Sequence, residues 1–157
     1  MVGRFIITID YNRCIGCYIC EMVCSLIHVG ECNRERSRIR ILKIEKDGVI
    51  ECLPVLCLNC EEPLCEKICP TRAIKRGNFL KAMLVNEQLC IGCNGCVYAC
   101  PFGACFLDHV KDKVILCDHC QGEPKCVQFC PTECLAYIRE DKLSIQQKRI
   151  KSSLMFV

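Results

Sequence analysis

Apolar and polar positions alternate in only a few short stretches of this chain, and those stretches predict its regular elements. Phe5 to Asp10 (FIITID) reads as a short edge strand. From about Tyr18 to His28 a helix is expected, with Gly30 placed just past its end. Arg38 to Lys46 (RIRILKIEK) alternates charged and apolar residues over most of its length, and Val49 to Leu53 resumes after Asp47-Gly48. An Asp-Gly pair between two such runs signals a β-hairpin. Ala82 to Val85 reads as another strand, and Cys105 to Asp108 with Val114 to Leu116 as a second hairpin. Asp141 to Lys151 opens on an N-cap aspartate and carries Leu143, Ile145 and Ile150, which predicts a polar surface helix. Ser152 to Val157 carries no signal.

Between these elements lie four cysteine runs. The third is the clearest: Cys90-Ile-Gly-Cys93-Asn-Gly-Cys96-Val-Tyr-Ala-Cys100-Pro101, a C-x2-C-x2-C-x3-C-P pattern. This is the bacterial ferredoxin spacing for [4Fe-4S] clusters. Three thiolates in a tight loop converge on three corners of a cubane, and the fourth, in the following helical turn, points toward another cluster. The first run, Cys14-Ile-Gly-Cys17-Tyr-Ile-Cys20-Glu-Met-Val-Cys24, repeats the pattern. Gly16 there matches Gly92, a position where positive φ lets backbone N–H groups turn toward sulfur. The second run places Cys57, Cys60, Cys65 and Cys69 before Pro70, and the fourth places Cys117, Cys120, Cys126 and Cys130 before Pro131. Runs one and three share C-I-G-C, and runs two and four share a longer middle gap and the ending C-P-T. The chain is therefore an internal repeat, roughly 5–76 and 82–138, as duplication of a two-cluster ferredoxin would leave it, within one 1–157 polyferredoxin domain whose last part, 139–157, is surface helix and tail.

Composition sharpens this picture. Twenty of 157 residues are cysteine, above the ~8–10% at which cysteine alone signals the scaffold. The 52% hydrophobic fraction counts those cysteines, so the core is expected to be partly inorganic. A disulfide framework would call for a secretory signal, and Met1 to Asp10 offers neither a basic n-region nor an apolar h-region with a cleavage site. No apolar stretch approaches the ~18 residues of a membrane span. A cytoplasmic protein with reduced, metal-binding thiols and no membrane insertion is expected. Zinc ribbons use two C-x2-C pairs and have no use for the third and fourth cysteines of these runs. The C-x3-C-x2-C spacing of radical-generating clusters is absent.

The net charge of +3 does not point to nucleic acid. Four oxidised clusters with their thiolates contribute roughly −8, leaving the loaded protein near −5. No paired carboxylates, nucleophile–base pair or phosphate-cradling glycine loop occurs, so no catalysis is expected from the chain itself. His28, His109 and His119 are scattered and read as solvated or packed, although His119 and Asp118 sit inside a cysteine loop where they could tune a cluster. Arg34, Arg36, Arg38 and Arg40 read as a solvated strand face, with docking of a catalytic subunit as the bolder alternative. Cys32, Cys52, Cys105 and Cys134 lie outside the runs and read as small hydrophobes.

Sixteen cysteines in four runs match four clusters. Which runs exchange their last cysteine is open, because neighbouring pairing (one with two, three with four) and nested pairing (one with four, two with three) both obey the spacing rule. Phe5 to Tyr137 resembles the four-cluster electron-transfer subunits of the dimethyl sulfoxide reductase and formate dehydrogenase type. It is most similar to the short soluble members that accompany tungsten aldehyde oxidoreductases and carbon monoxide dehydrogenases. Cys14-Ile-Gly-Cys17, Ser37-Arg38-Ile39-Arg40, Cys60-Glu-Glu-Pro, Cys100-Pro-Phe-Gly-Ala104 and Cys117-Asp-His-Cys120 carry the likeness.

The resemblance implies an α+β fold of two ferredoxin-like halves and nested pairing. Cys14, Cys17, Cys20 and Cys130 would hold one cluster, and Cys24, Cys117, Cys120 and Cys126 its neighbour. Cys57, Cys60, Cys65 and Cys100 would hold a third, and Cys69, Cys90, Cys93 and Cys96 a fourth. It further implies a hetero-oligomer in which electrons pass between a tungsten, molybdenum or nickel–iron oxidoreductase subunit and a carrier such as ferredoxin. A free-standing polyferredoxin and a structural metal-binding module are the alternatives. The chain departs from the pattern at Ser25, where the other runs have proline, and lacks the long insertions of larger relatives, which fits a soluble partner.

Overall fold

The computed structural model describes residues 4–78 and 80–143. Short strands bracket each cysteine run, and each helix grows out of a run. β1 (Phe5–Ile9) leads into run one, whose second half winds into α1 (Ile19–Val29). Gly30, at φ 76°, ends α1 by donating its N–H to Leu26 O, the left-handed C-terminal stop glycine favours. β2 (Ile39–Lys46) and β3 (Val49–Leu56) form the expected hairpin, with Asp47 and Gly48 both at positive φ in its turn. α2 (Leu64–Ile68) carries run two, β4 (Ile74–Arg76) and β5 (Met83–Val85) follow, and α3 (Gly95–Ala99) carries run three. β6 (Phe106–Asp108) and β7 (Lys113–Ile115) precede α4 (Lys125–Gln128) in run four, and β8 (Leu135–Arg139) comes last. A single 3-10 turn spans Glu140–Lys142. The expected helix lies mostly outside the described residues, from residue 144 on.

The described strands pair antiparallel in four two-stranded sheets: β1 with β8, β2 with β3, β4 with β5, and β6 with β7. Neither β4 nor β8 was foreseen. β4 is three residues long, too short for a period, and β8 is specified by its partner across the molecule, with Phe5 facing Arg139 and Ile9 facing Leu135.

Two cores result. The first gathers Ile7, Ile39, Ile41, Leu56 and Leu135 around Cys20, Cys24, Cys117, Cys126 and Cys134. The second gathers Ile74, Met83, Val114 and Leu116 around Cys65, Cys96 and Cys105. α1 packs on α4 beside the first, and α2 on α3 beside the second. The partly buried Cys57 touches both. With thiols making up half of the first core, aliphatic burial there is thin.

The arginine row is a correction. Alternation suggested a solvated face, and Arg34 is exposed, but Arg36 and Arg38 reach inward to acids from distant elements. Arg34 pairs with Glu21, which is 1% exposed. Arg36 grips the buried Asp108 at 2.9 Å, and Arg38 meets Asp118 at 2.5 Å. Arg40 donates to the carbonyl oxygens of Arg34 and Glu35. Unpaired acids at those depths would be costly, so the arginines are structural.

Candidate metal centres

Each cysteine loop is shaped by backbone that runs left-handed. Gly16 and Gly92 sit at φ 65° and 68°, followed by Tyr18 and Asn94 at 63° and 58°. A Cβ on Gly92 would stand 2.6 Å from the backbone oxygen of Asp112, and one on Gly16 would stand 2.5 Å from Cys52 Sγ. Such a backbone points successive N–H groups into the loop, the concavity that suits an anionic cluster.

The fold brings cysteines of different runs together. One cavity is lined by Cys57, Cys60, Cys65 and Cys100, with Cys105 beside them. A second is lined by Cys69, Cys90, Cys93 and Cys96. Around the first core, Cys20 lies within electrostatic reach of Cys17 and Cys14, and Cys134 bonds both Cys130, at 3.6 Å, and Cys14. Cys126 lies within reach of Cys24, Cys120 and Cys20, and Cys117 of Cys126, Cys57 and Cys24.

Some of the thiols are shifted, in both directions. Burial pushes Cys20 and Cys57 up to about 12 and Cys96 to about 11, and raises Cys117 and Cys126 as well. The last cysteine of every run goes the other way, as does Cys65, lowered first by a hydrogen bond from Cys105. Cys100 is lowered to about 6, first by a hydrogen bond from Cys105 and then, against burial, by backbone N–H groups. For Cys24, Cys69 and Cys130, burial opposes ionisation but is outweighed by hydrogen-bond donors. The N–H groups of Arg38, Ala73 and Ala104 stand 3.3 Å from the sulfurs of Cys24, Cys69 and Cys100 respectively. Donors to sulfur favour the thiolate form of these four cysteines.

Several neighbours escaped the sequence reading. His28 is clamped between Cys24 O at 2.8 Å and Asp118 at 3.1 Å. Burial works against its charged form, yet bonds to Asp118, Cys120 and Cys24 raise its pKa to about 12. Asp118 is held well below the usual carboxylate range, because His28 and Arg38 outweigh its burial. His119 is fully buried rather than solvated, while His109 is exposed. Cys105 and Cys134 are buried as foreseen, but each hydrogen-bonds thiols of the runs: Cys105 to Cys100 and Cys65, Cys134 to Cys130 and Cys14. Their matching positions, four or five residues after the last cysteine of a C-P run, were the available signal. Cys52 covers Gly16, and Cys32 is exposed.

Soft thiolates in fours, enclosed by cavities and N–H donors, fit iron–sulfur clusters. The buried His119 Nδ1 and Tyr137 hydroxyl, both without a hydrogen-bond partner among the described residues, fit the same group, since sulfur can accept from them. No helix among the described residues is long and apolar enough to cross a membrane.

Comparison with known proteins agrees. Residues 48–140 match the 4Fe-4S dicluster domain, and residues 6–28 a 4Fe-4S binding domain. The polyferredoxin-like subunit of an aliphatic sulfonate oxidoreductase from Pyrococcus furiosus is 39% identical over 127 residues, covering 81% of this chain and 72% of that protein. The electron transport protein HydN of Escherichia coli is 32% identical, covering 99% of this chain and 100% of that protein. Among solved structures, a chain of the active-site complex BamBC of benzoyl coenzyme A reductase superposes with a TM-score of 0.50 at 20% identity. That match covers 97% of this chain and 90% of the other, a likeness of fold.

Proposed function

The chain belongs to the 4Fe-4S dicluster family of iron–sulfur electron-transfer proteins, and from that premise we propose that it carries four [4Fe-4S] clusters as the non-catalytic wire of an oxidoreductase complex. Cys14, Cys17, Cys20 and Cys130 hold the first, and Cys24, Cys117, Cys120 and Cys126 the second. Cys57, Cys60, Cys65 and Cys100 hold the third, and Cys69, Cys90, Cys93 and Cys96 the fourth. The observation that carries this reading is the lining of the two cavities, each by three cysteines of one run and the last cysteine of another. Neighbouring pairing would put Cys100 with run four, whereas its sulfur lies with run two. Each core then holds two clusters, one core drawing on runs one and four and the other on runs two and three, so the spatial pairs cut across the sequence repeat 5–76 and 82–138.

When bound, each cluster supplies a one-electron couple whose potential follows charge, hydrogen bonds to sulfur and solvent exposure. The chain sets the order. Cys57 packs against both cores and lies within reach of Cys117, so the second and third quartets adjoin and the first and fourth stand at the ends. Both ends are open: Cys17 and Cys93 are exposed, beside Ile15 at 66% and Ile91 at 64% exposure. Those loops are where a partner and a carrier would meet the wire.

The partner is a catalytic subunit, the carrier a ferredoxin-like protein, and the compartment the cytoplasm. Support for a partner is that the Pyrococcus relative is itself named as an oxidoreductase subunit. The resemblance in the sequence makes a tungsten or molybdenum aldehyde oxidoreductase the first candidate, with carbon monoxide dehydrogenase, formate dehydrogenase and hydrogenase next. Anaerobic purification tests both parts. About sixteen iron atoms per chain, with a large tungsten-, molybdenum- or nickel-containing subunit in the same complex, is the expected result. Far fewer iron atoms would refute the four-cluster reading. A lone iron-loaded chain would make it a freely diffusing polyferredoxin.

A further inference from the structure

Asn59 and His119 occupy the same place in their runs, one residue before the second cysteine (Cys57-Leu-Asn59-Cys60 and Cys117-Asp-His119-Cys120). Both are fully buried, and both have left-handed backbone, φ 50° and 59°. Their side chains meet: Asn59 Nδ2 stands 2.7 Å from His119 Nε2. The direction of that bond is fixed from outside, because Asn59 Oδ1 accepts the backbone N–H of Met83 at 3.0 Å. The amide nitrogen therefore faces the ring, and an amide NH2 only donates. Nε2 must accept, and the imidazole hydrogen sits on Nδ1. That N–H is buried with no partner among the described residues.

A second donor lies beside it. The Tyr137 ring meets His119 edge-on, centroids 5.3 Å apart, and stacks on Phe5. Its hydroxyl is also buried without a partner among the described residues. Tyr137 packs against the core that contains Cys24, Cys117 and Cys126. Two unused donors thus stand at that core, and a native core rarely leaves such groups unmatched. The equivalent positions in runs one and three are Gly16 and Gly92, which have no side chain.

We propose that His119 Nδ1–H and Tyr137 O–H are hydrogen-bond donors to sulfur of the cluster held by Cys24, Cys117, Cys120 and Cys126, and that Asn59 positions the histidine in the tautomer this requires. The inference rests on the four-cluster reading above. Reduction adds negative charge to a cluster, and donors to its sulfurs stabilise that charge, so this cluster takes an electron more readily than it would without them.

The experiment is an anaerobic redox titration followed by electron paramagnetic resonance, on the loaded protein and on its Tyr137→Phe and His119→Phe variants, with iron counted in each. Tyr137→Phe keeps the ring and its stacking on Phe5, so it reports the hydroxyl alone. One reduction step of the four is expected to move to lower potential. At its parental midpoint, the reduced-to-oxidised ratio should fall about three- to tenfold, or about 28 to 59 mV for a one-electron couple. His119→Phe should move the same step in the same direction. Full iron with no step displaced in Tyr137→Phe would overturn the inference and leave the four clusters standing. So would equal displacement of several steps, or of different steps in the two variants. A parent protein well short of about sixteen iron atoms would instead remove the reading on which the inference rests.

Discussion

Replacing Asp108 with asparagine should cost the protein a large share of its stability. Arg36 stands in a turn packed on α1, and Asp108 ends β6, so their pair fastens the first core to the hairpin of the second. Three N–H···O contacts of 2.9, 3.0 and 3.2 Å join them, with the arginine side chain 12% and the aspartate side chain 2% exposed. Asp108→Asn keeps the shape but sets an amide NH2 against the guanidinium and strands a shielded cation. Breaking one side of a buried pair costs about 3–5 kcal/mol. Glu31, which holds Arg36 from the rim at 3.0 Å, favours the lower part of that range. With a guanidinium slope of about 4 kcal/mol per molar, the unfolding midpoint falls by about 1 M.

The assay is guanidinium unfolding of anaerobically purified protein, followed by circular dichroism. The double variant Arg36→Met/Asp108→Leu should recover most of the loss, since an apolar pair needs no counter-ion. Acid supplies a second check. Burial tends to raise the Asp108 pKa, but Arg36 and the Val110 and Lys111 N–H groups outweigh it and lower the folded value. A depressed carboxylate stabilises fully above its unfolded pKa of about 3.9 and loses that contribution as pH falls through the folded value. The deficit of Asp108→Asn should therefore be constant at neutral pH and shrink below about pH 4. A midpoint within about 0.2 M of the parent's, or no recovery in the double variant, would refute the reasoning.

Other outcomes follow from the loops and the thiols. Gly92→Ala should lower the iron content sharply, because a Cβ meets the Asp112 carbonyl oxygen at 2.6 Å and left-handed backbone adds about 1–2 kcal/mol. Gly16→Ala carries the same left-handed strain but meets the movable Cys52 sulfur at 2.5 Å and the Lys43 side chain at 3.3 Å, so adding Cys52→Ala should restore part of the iron; equal loss with and without Cys52 would contradict this. Cys105→Ala and Cys134→Ala should keep full iron while shifting a midpoint, and a drop of about four iron atoms in either would make that cysteine a ligand. Removing iron with a chelator should leave a chain without fixed tertiary packing, because half of the first core is thiol; an iron-free chain that resists proteolysis would favour a structural role.

The candidate positions were legible because cluster ligation is a local pattern: the first three cysteines of each run lie within nine residues of one another, a spacing that points to iron–sulfur chemistry. The exchange partner of each run was not legible, since two pairings satisfy the same spacing. Only tertiary placement, such as Cys100 beside Cys57, favours one. The Asp47-Gly48 hairpin and α1 announced themselves through period and punctuation, while β4 and β8 exist because β5 and β1 lie alongside. The arginines misled for a related reason. Alternation along Arg38 to Lys46 reports which way a side chain leaves the backbone, and the acids that claim those guanidinium groups sit on α1, β6 and the fourth loop. His119 and Asn59, 60 positions apart, could be matched in sequence only by noticing that each precedes the second cysteine of its run.

The pairing of β1 with β8 also bears on how the molecule is made. A ribosome releases β1 first and β8 last, so the sheet that seats Cys130 near Cys14 cannot close until synthesis has passed Arg139. The second core draws on runs two and three and the β6–β7 hairpin, so it is complete earlier. On the proposed ligand sets, the third and fourth clusters can be loaded on a growing chain before run four is made, and the first and second must wait for run four.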